Sequence, residues 1–99
     1  MKTDRVVYVN VNNKTNLPFY VGAGNPRRPY TKSRKSKEWN EIVDRDGYFV
    51  FIYRDCLTYE QAYSIEKQLI KGYGRVDLGT GTLVNKTVGG LDFMTGLKH

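Results

Sequence analysis

Histidine and cysteine are nearly missing from this 99-residue chain: the only histidine is the terminal His99 and the only cysteine is Cys56. One cysteine excludes an internal disulfide and any cysteine-rich zinc site, and Cys56 is expected to fill a small apolar pocket. Without an internal histidine there is no Ser-His-Asp or Cys-His arrangement, which counts against acyl transfer. No Walker loop is present and no GxGxxG follows a strand, which counts against nucleotide hydrolysis. No apolar run approaches the roughly 20 residues needed to cross a bilayer. The charged start MKTDR leads into no signal-peptide pattern. A soluble, reduced, cytoplasmic protein with no membrane partner is therefore expected.

Acids are also missing, locally. Between Asn25 and Lys37 stand six basic residues (Arg27, Arg28, Lys32, Arg34, Lys35 and Lys37) and no carboxylate, in a chain whose formal net charge is +6. A solvated helix face usually alternates signs. A one-signed block with Tyr30 interleaved instead suits a polyanion, and phosphate backbones attract such blocks through counterion release. Anionic lipid is the competing partner, but Trp39, Ile42 and Val43 are too few apolar residues for a membrane-surface helix.

The chain does hold enough apolar and aromatic residues, 39% and 13%, for one packed domain spanning 1–99. RVVYVNV (Arg5 to Val11), β-branched and apolar on both faces, predicts a central strand. NNKTN is turn chemistry and PFYVG (Pro18 to Gly22) a second short strand, so the pair reads as a hairpin. AGNPRRP then breaks regular structure. A helix is predicted from about Lys32 to Arg45, with Trp39, Ile42 and Val43 inward and Gly47 ending it. YFVFIY (Tyr48 to Tyr53) predicts a third strand. Thr58 opens a second helix, with Gln61 completing a capping box. GRVDLGTGTLVNKTVGG is a glycine-hinged surface loop or backbone that approaches a ligand closely. The fold class expected is α+β: a three-stranded antiparallel sheet flanked by helices.

Chemistry must then come from tyrosine, arginine and carboxylate. In the second helix Ala62, Ile65, Leu69 and Tyr73 form an apolar stripe, and Glu66 falls near its centre. A buried carboxylate needs a cation or several hydrogen bonds. Glu66 is therefore either paired with a core arginine or tyrosine, or a metal ligand in a cleft. Tyr8 and Tyr20 lie in neighbouring strands, each on the face its valine neighbours leave free. They are ordinary strand aromatics unless the register brings their faces together, in which case both hydroxyls enter one cleft. Arg28 follows closely enough to reach it.

VVY, eleven residues, YVG, an arginine eight after Tyr20, a helical glutamate and an asparagine near the end together resemble the GIY-YIG nuclease superfamily. The strings FYVG, EWNEIV, EKQLIKGYGR and LGTGTLVNKTVGG look like those of small phage and bacterial members. The resemblance runs from Tyr8 to Gly90 and implies a three-stranded antiparallel sheet flanked by helices. By the same resemblance the catalytic residues are Tyr8, Tyr20, Arg28 (Arg27 being the less favoured occupant), Glu66 and Asn85. Glu66 would be the one carboxylate ligand of Mg²⁺ or Mn²⁺, with waters and the scissile phosphate completing the shell. A tyrosine hydroxyl would activate the attacking water, in the cytoplasm of a bacterium or a phage-infected host. Three departures stand out. VVY replaces GIY, Ala23 stands where a lysine is common, and Lys32 stands where many members carry a histidine. The assistant that deprotonates the nucleophile is then Lys32, Tyr30, Tyr20 or metal-bound water.

The expected function is a divalent-metal-dependent endonuclease acting on DNA, with Arg27, Tyr30, Lys32, Arg34, Lys35 and Lys37 holding phosphates. A homodimer or partner protein would supply any sequence specificity. The rivals are a binding module of this fold that has lost turnover and a small phage interaction protein.

Overall fold

β-branched residues paired on both sides make the middle of the sheet. In the computed structural model, which describes residues 2–32 and 35–87, β1 (Arg5–Asn12) lies between β2 (Pro18–Gly24) and β3 (Tyr48–Leu57), all antiparallel. Val6, Val7, Tyr8, Val9 and Asn10 are all buried, as a strand with neighbours on both edges and helices over it requires. α1 (Lys37–Asp46) and α2 (Tyr59–Tyr73) flank the sheet, and 3₁₀ turns occupy Arg28–Tyr30 and Val76–Leu78. The architecture is α+β. Among the described residues no helix is long and apolar enough to cross a membrane.

Two hydrophobic cores form. Val7 and Val9 join Val21, Ala23, Ala62, Ile70 and Leu83 in the first; Phe19, Trp39 and Val84 form the second. Trp39 is the peg of α1. Its indole N–H donates to Asn10 Oδ1 at 2.9 Å, and its ring meets Tyr48 edge-on at 5.3 Å, so burial and aromatic geometry act together.

Several elements differ from their expected bounds, each for a local reason. β2 continues through Ala23 and Gly24 because these pair with Val7 and Val6. α1 begins at Lys37 rather than Lys32, because the Ser36 side chain accepts from Trp39 N–H at 3.1 Å and caps the helix there. Gly47 ends it with φ at 75°. β3 runs four residues past Tyr53, to Leu57. Cys56 fills no apolar pocket: it is exposed. Asp55 and Cys56 together oppose the single residue Val6, and this bulge turns Cys56 outward at φ 53°. β3 is an edge strand, and its Phe49, Phe51 and Ile52 are exposed.

In α2 the capping box forms as expected, Gln61 N–H to Thr58 Oγ1 at 3.1 Å and Thr58 N–H to Gln61 Oε1 at 2.9 Å. The inward column differs from the expected stripe. Ala62 and Ile70 are buried, Ile65 and Leu69 partly so, and Tyr73 is exposed. Glu66 sits midway between Ala62 and Ile70 at four-residue steps and is half-buried rather than buried.

The glycines after α2 allow backbone to lie on backbone. A side chain on Gly74 would strike Thr80, and one on Gly81 would strike the Tyr73 carbonyl, so neither glycine is spent on a ligand. The strap they permit runs along the free edge of β2: Thr82 Oγ1 donates to Pro18 O at 2.6 Å and Val84 N–H to Phe19 O at 2.8 Å. An edge covered in this way cannot recruit another strand.

Candidate active site

Register decides whether the two strand tyrosines meet, and they do. Tyr8 pairs with Gly22 and Asn10 with Tyr20, so Tyr8 and Tyr20 are diagonal neighbours on one face. Their rings lie 6.3 Å apart at 40°. Tyr8 is fully buried and crosses directly over Gly22, where a β-carbon would land on its Cζ and hydroxyl. Gly22→Ala is therefore expected to displace the Tyr8 ring and cost roughly 1–3 kcal/mol as overpacking. Chemical denaturation with tyrosine near-ultraviolet dichroism reads both effects; unchanged stability and spectrum would contradict this packing.

The 3₁₀ turn after β2 brings in Arg28. Asn25 builds it, its side-chain oxygen accepting from Arg27 N–H at 2.9 Å and Arg28 N–H at 3.1 Å. The Arg28 stem lies against Gly24, so that a β-carbon there would meet Cγ at 3.0 Å. Its guanidinium acts on Tyr8 by both charge and hydrogen bonding, and on Tyr20 by charge. The Glu66 carboxylate is near enough for its charge to act on both hydroxyls as well. Burial pushes the Tyr8 hydroxyl well above its ordinary value; Tyr20 and Glu66 add to the rise and Arg28 opposes it. Tyr20 is raised for the same first reason. Both phenols are held neutral across the ordinary pH range.

Asn85 stands one layer back. Its amide donates to Val21 O at 2.9 Å and accepts from Val21 N–H at 3.0 Å, imitating a strand partner between Tyr20 and Gly22. It is buried, and its hydrogen bonds go to the backbone beside Tyr20 rather than to a tyrosine hydroxyl.

The basic block divides. Arg27, Lys32 and Lys37 are exposed, as is Tyr30 at 66%; Lys32 Nζ sits 6.0 Å from the Tyr48 ring centre. Arg34 lies outside the described residues. The lysine beside the tyrosines is Lys35, whose ammonium donates to Tyr8 Oη at 3.2 Å and lies 4.3 Å from the Tyr20 ring centre. The Tyr8 and Trp39 rings are each 5.6 Å from it, a cation enclosed by π-faces. Burial first, then the Arg28 charge, lowers the Lys35 pKa to about 8. Nothing in KSRKSK marks which lysine turns inward, so the sequence groups Lys35 with the phosphate contacts. Tyr63 also feels both the Glu66 and Arg28 charges, and its helical position three before Glu66 is the sequence signal for it.

The donor set bears on which metal fits. Among the described residues no three of His, Cys, Asp or Glu converge, so neither a zinc cage nor a carboxylate cluster is built. A single half-buried carboxylate fits Mg²⁺ or Mn²⁺, hard ions that retain waters and take oxygen from a substrate phosphate. The fold is thus α+β, with Tyr8, Tyr20, Arg28 and Lys35 within reach of one another and the Glu66 charge acting on both tyrosines. No family model, curated protein or solved structure matches the chain.

Proposed function

We propose that this protein is a divalent-metal-dependent endonuclease of the GIY-YIG type that hydrolyses DNA phosphodiester bonds, leaving 5′-phosphate and 3′-hydroxyl ends. The observation that carries the reading is the convergence of Tyr8, Tyr20, Arg28 and Glu66 from β1, β2, the 3₁₀ turn and α2. Four separate elements supply side chains that a purely structural core would not need together.

Each residue has work in phosphodiester hydrolysis. Glu66 would hold Mg²⁺ or Mn²⁺, which supplies positive charge beside the scissile phosphate. Arg28, permanently charged, binds the phosphoryl oxygens and stabilises the negative charge that grows on them. The Tyr8 and Tyr20 hydroxyls, neutral and fixed by packing, orient the attacking water between them and the phosphate. To take a proton from that water, Tyr8 must pass on its own. Asn85 keeps the Tyr20 backbone in register. The decisive experiment is incubation of the pure protein with supercoiled plasmid with and without Mg²⁺. Nicked or linear product only with the metal supports the reading, and no product with either Mg²⁺ or Mn²⁺ removes it.

With Lys35 turned inward, five residues of the block (Arg27, Arg28, Lys32, Arg34 and Lys37) remain for phosphates. Phosphate contacts position a protein without reading sequence. If about five phosphates are neutralised, log K is expected to fall against log salt with a slope near −4.5. Fluorescence anisotropy with an inactive variant measures it. A shallow slope, or sharp restriction-like banding from the isolated protein, would instead show direct base reading.

A further inference from the structure

We propose that β3 is a self-pairing edge, through which two copies of this chain join their sheets antiparallel about a two-fold axis at Val50. The two sides of the sheet are finished differently. Thr82 and Val84 bond to Pro18 and Phe19 and close the β2 side. β3 is outermost on the other side, and among the described residues only β1 reaches the backbone of 48–52 with backbone hydrogen bonds. Charges and prolines are the usual means of keeping an edge from pairing. Residues 48–52 contain neither, and Phe49 and Phe51 stand 45% and 53% exposed on them.

The pairing with β1 sets what a second copy meets. It runs in step from Tyr48 opposite Asn12 to Ile52 opposite Tyr8, then slips at Tyr53 and again at Asp55 and Cys56. Bulges twist an edge and end regular pairing, so the straight edge is 48–52 with Val50 at its middle. Phe49 and Phe51 lie on one face with Val11 and Val9, while Tyr48, Val50 and Ile52 share the face of Tyr8. A two-fold at Val50 preserves these faces. It sets Phe49 of each copy against Phe51 of the other, Val50 against itself and Tyr48 against Ile52. Aromatic and β-branched cross-strand pairs of this kind stabilise sheets. Moved to Ile52, the axis would instead set Arg54 against Val50 and Asp55 against Phe49. A charged segment of another protein has less to hold, since 48–52 offer it no counter-charge in a chain of net charge +6. The paired sheet has six strands, with both Tyr8 faces on one side and roughly 20 Å apart by strand and residue spacing.

So short an edge makes a small interface, and association is expected to be weak and concentration-dependent. Sedimentation equilibrium of the full chain should show the mass rising from 11.4 kDa towards twice that value as the protein is concentrated to about 1 mM. Phe51→Lys should weaken the dimer at least about 30-fold, the scale of one lost aromatic anchor. Circular dichroism should stay unchanged, because the ring is exposed in the single chain. Since each copy carries +6, added salt should strengthen association by screening. Cysteine cross-linking in a Cys56→Ser background reads the register. Directly opposed residues stand about 4.5–5.5 Å apart at Cα, within disulfide range, so mild oxidation should link Val50→Cys chains faster than Phe51→Cys chains. A mass that stays at 11.4 kDa throughout overturns the proposal and leaves the edge to a different chain. A dimer that Phe51→Lys leaves intact, a dimer that salt dissociates, or faster linking through Phe51→Cys overturns it equally. None of these readouts uses cleavage, so they decide the interface separately from the nuclease reading.

Discussion

Replacing Glu66 with alanine is expected to abolish cleavage and leave the fold standing. Glu66 is the acid whose charge acts on both site tyrosines. Under the proposed reading it is the carboxylate that would hold the ion beside the phosphate, so its loss would remove the metal with it. Glu66→Gln should be equally inactive, since an uncharged amide oxygen is a poor replacement for a carboxylate on a hard dication. Stability should hold because Glu66 is half-buried in the middle of α2, and alanine is the strongest helix former. The measurement is plasmid cleavage with Mg²⁺, with and without EDTA, beside thermal unfolding of each variant. Full activity in EDTA, or in either variant, would remove Glu66 from the site.

The second large effect concerns Tyr8 and Arg28. Tyr8→Phe deletes one oxygen from a buried ring and is expected to cost at least about two orders of magnitude in rate, the scale of a lost proton-transfer group or charge-stabilising donor. Affinity for DNA should change little, because in the proposed binding mode the dominant contacts would be to phosphates from exposed cations. Arg28→Ala should lose a comparable factor, through charge on the phosphoryl oxygens rather than through the water. The sign of the pH dependence follows from burial. With the Tyr8 hydroxyl pushed above its ordinary value, it stays protonated across pH 6 to 9, so no rise in rate in that window belongs to its own ionisation. A Tyr8→Phe protein that cleaves at the wild-type rate throughout that range would show that this hydroxyl takes no part.

The legible parts of the fold were those written in local chemistry. The central strand was readable because Val6, Val7, Val9 and Val11 favour a pleated strand buried on both sides. The start of α2 was readable because Thr58 and Gln61 satisfy one another's backbone partners within four residues. Gly47 marked the end of α1 for an equally local reason. The start of α1 was misplaced by five residues, since Lys32 to Ser36 carry no helix breaker and only Ser36 was the cap. Cys56 looked like filler for the core, yet a bulge, which depends on the partner strand, turned it to solvent.

Composition and spacing by themselves determined the α+β class, the hairpin, the two helices, the absence of a disulfide and a short roster of tyrosine, arginine and carboxylate candidates. The tertiary structure decided which of these meet. The pairing of Tyr8 with Gly22 and of Asn10 with Tyr20 set both phenols on one face, and a slip of one residue would have parted them. The packing of Trp39 into the second core set where the loop before α1 could run, and so which lysine lay beside Tyr8. Register and loop path depend on contacts between residues far apart in the chain, such as Lys35 with Tyr8 and Asn85 with Val21. Neighbours in sequence carry no record of those contacts, so local propensity names the candidates and packing selects among them.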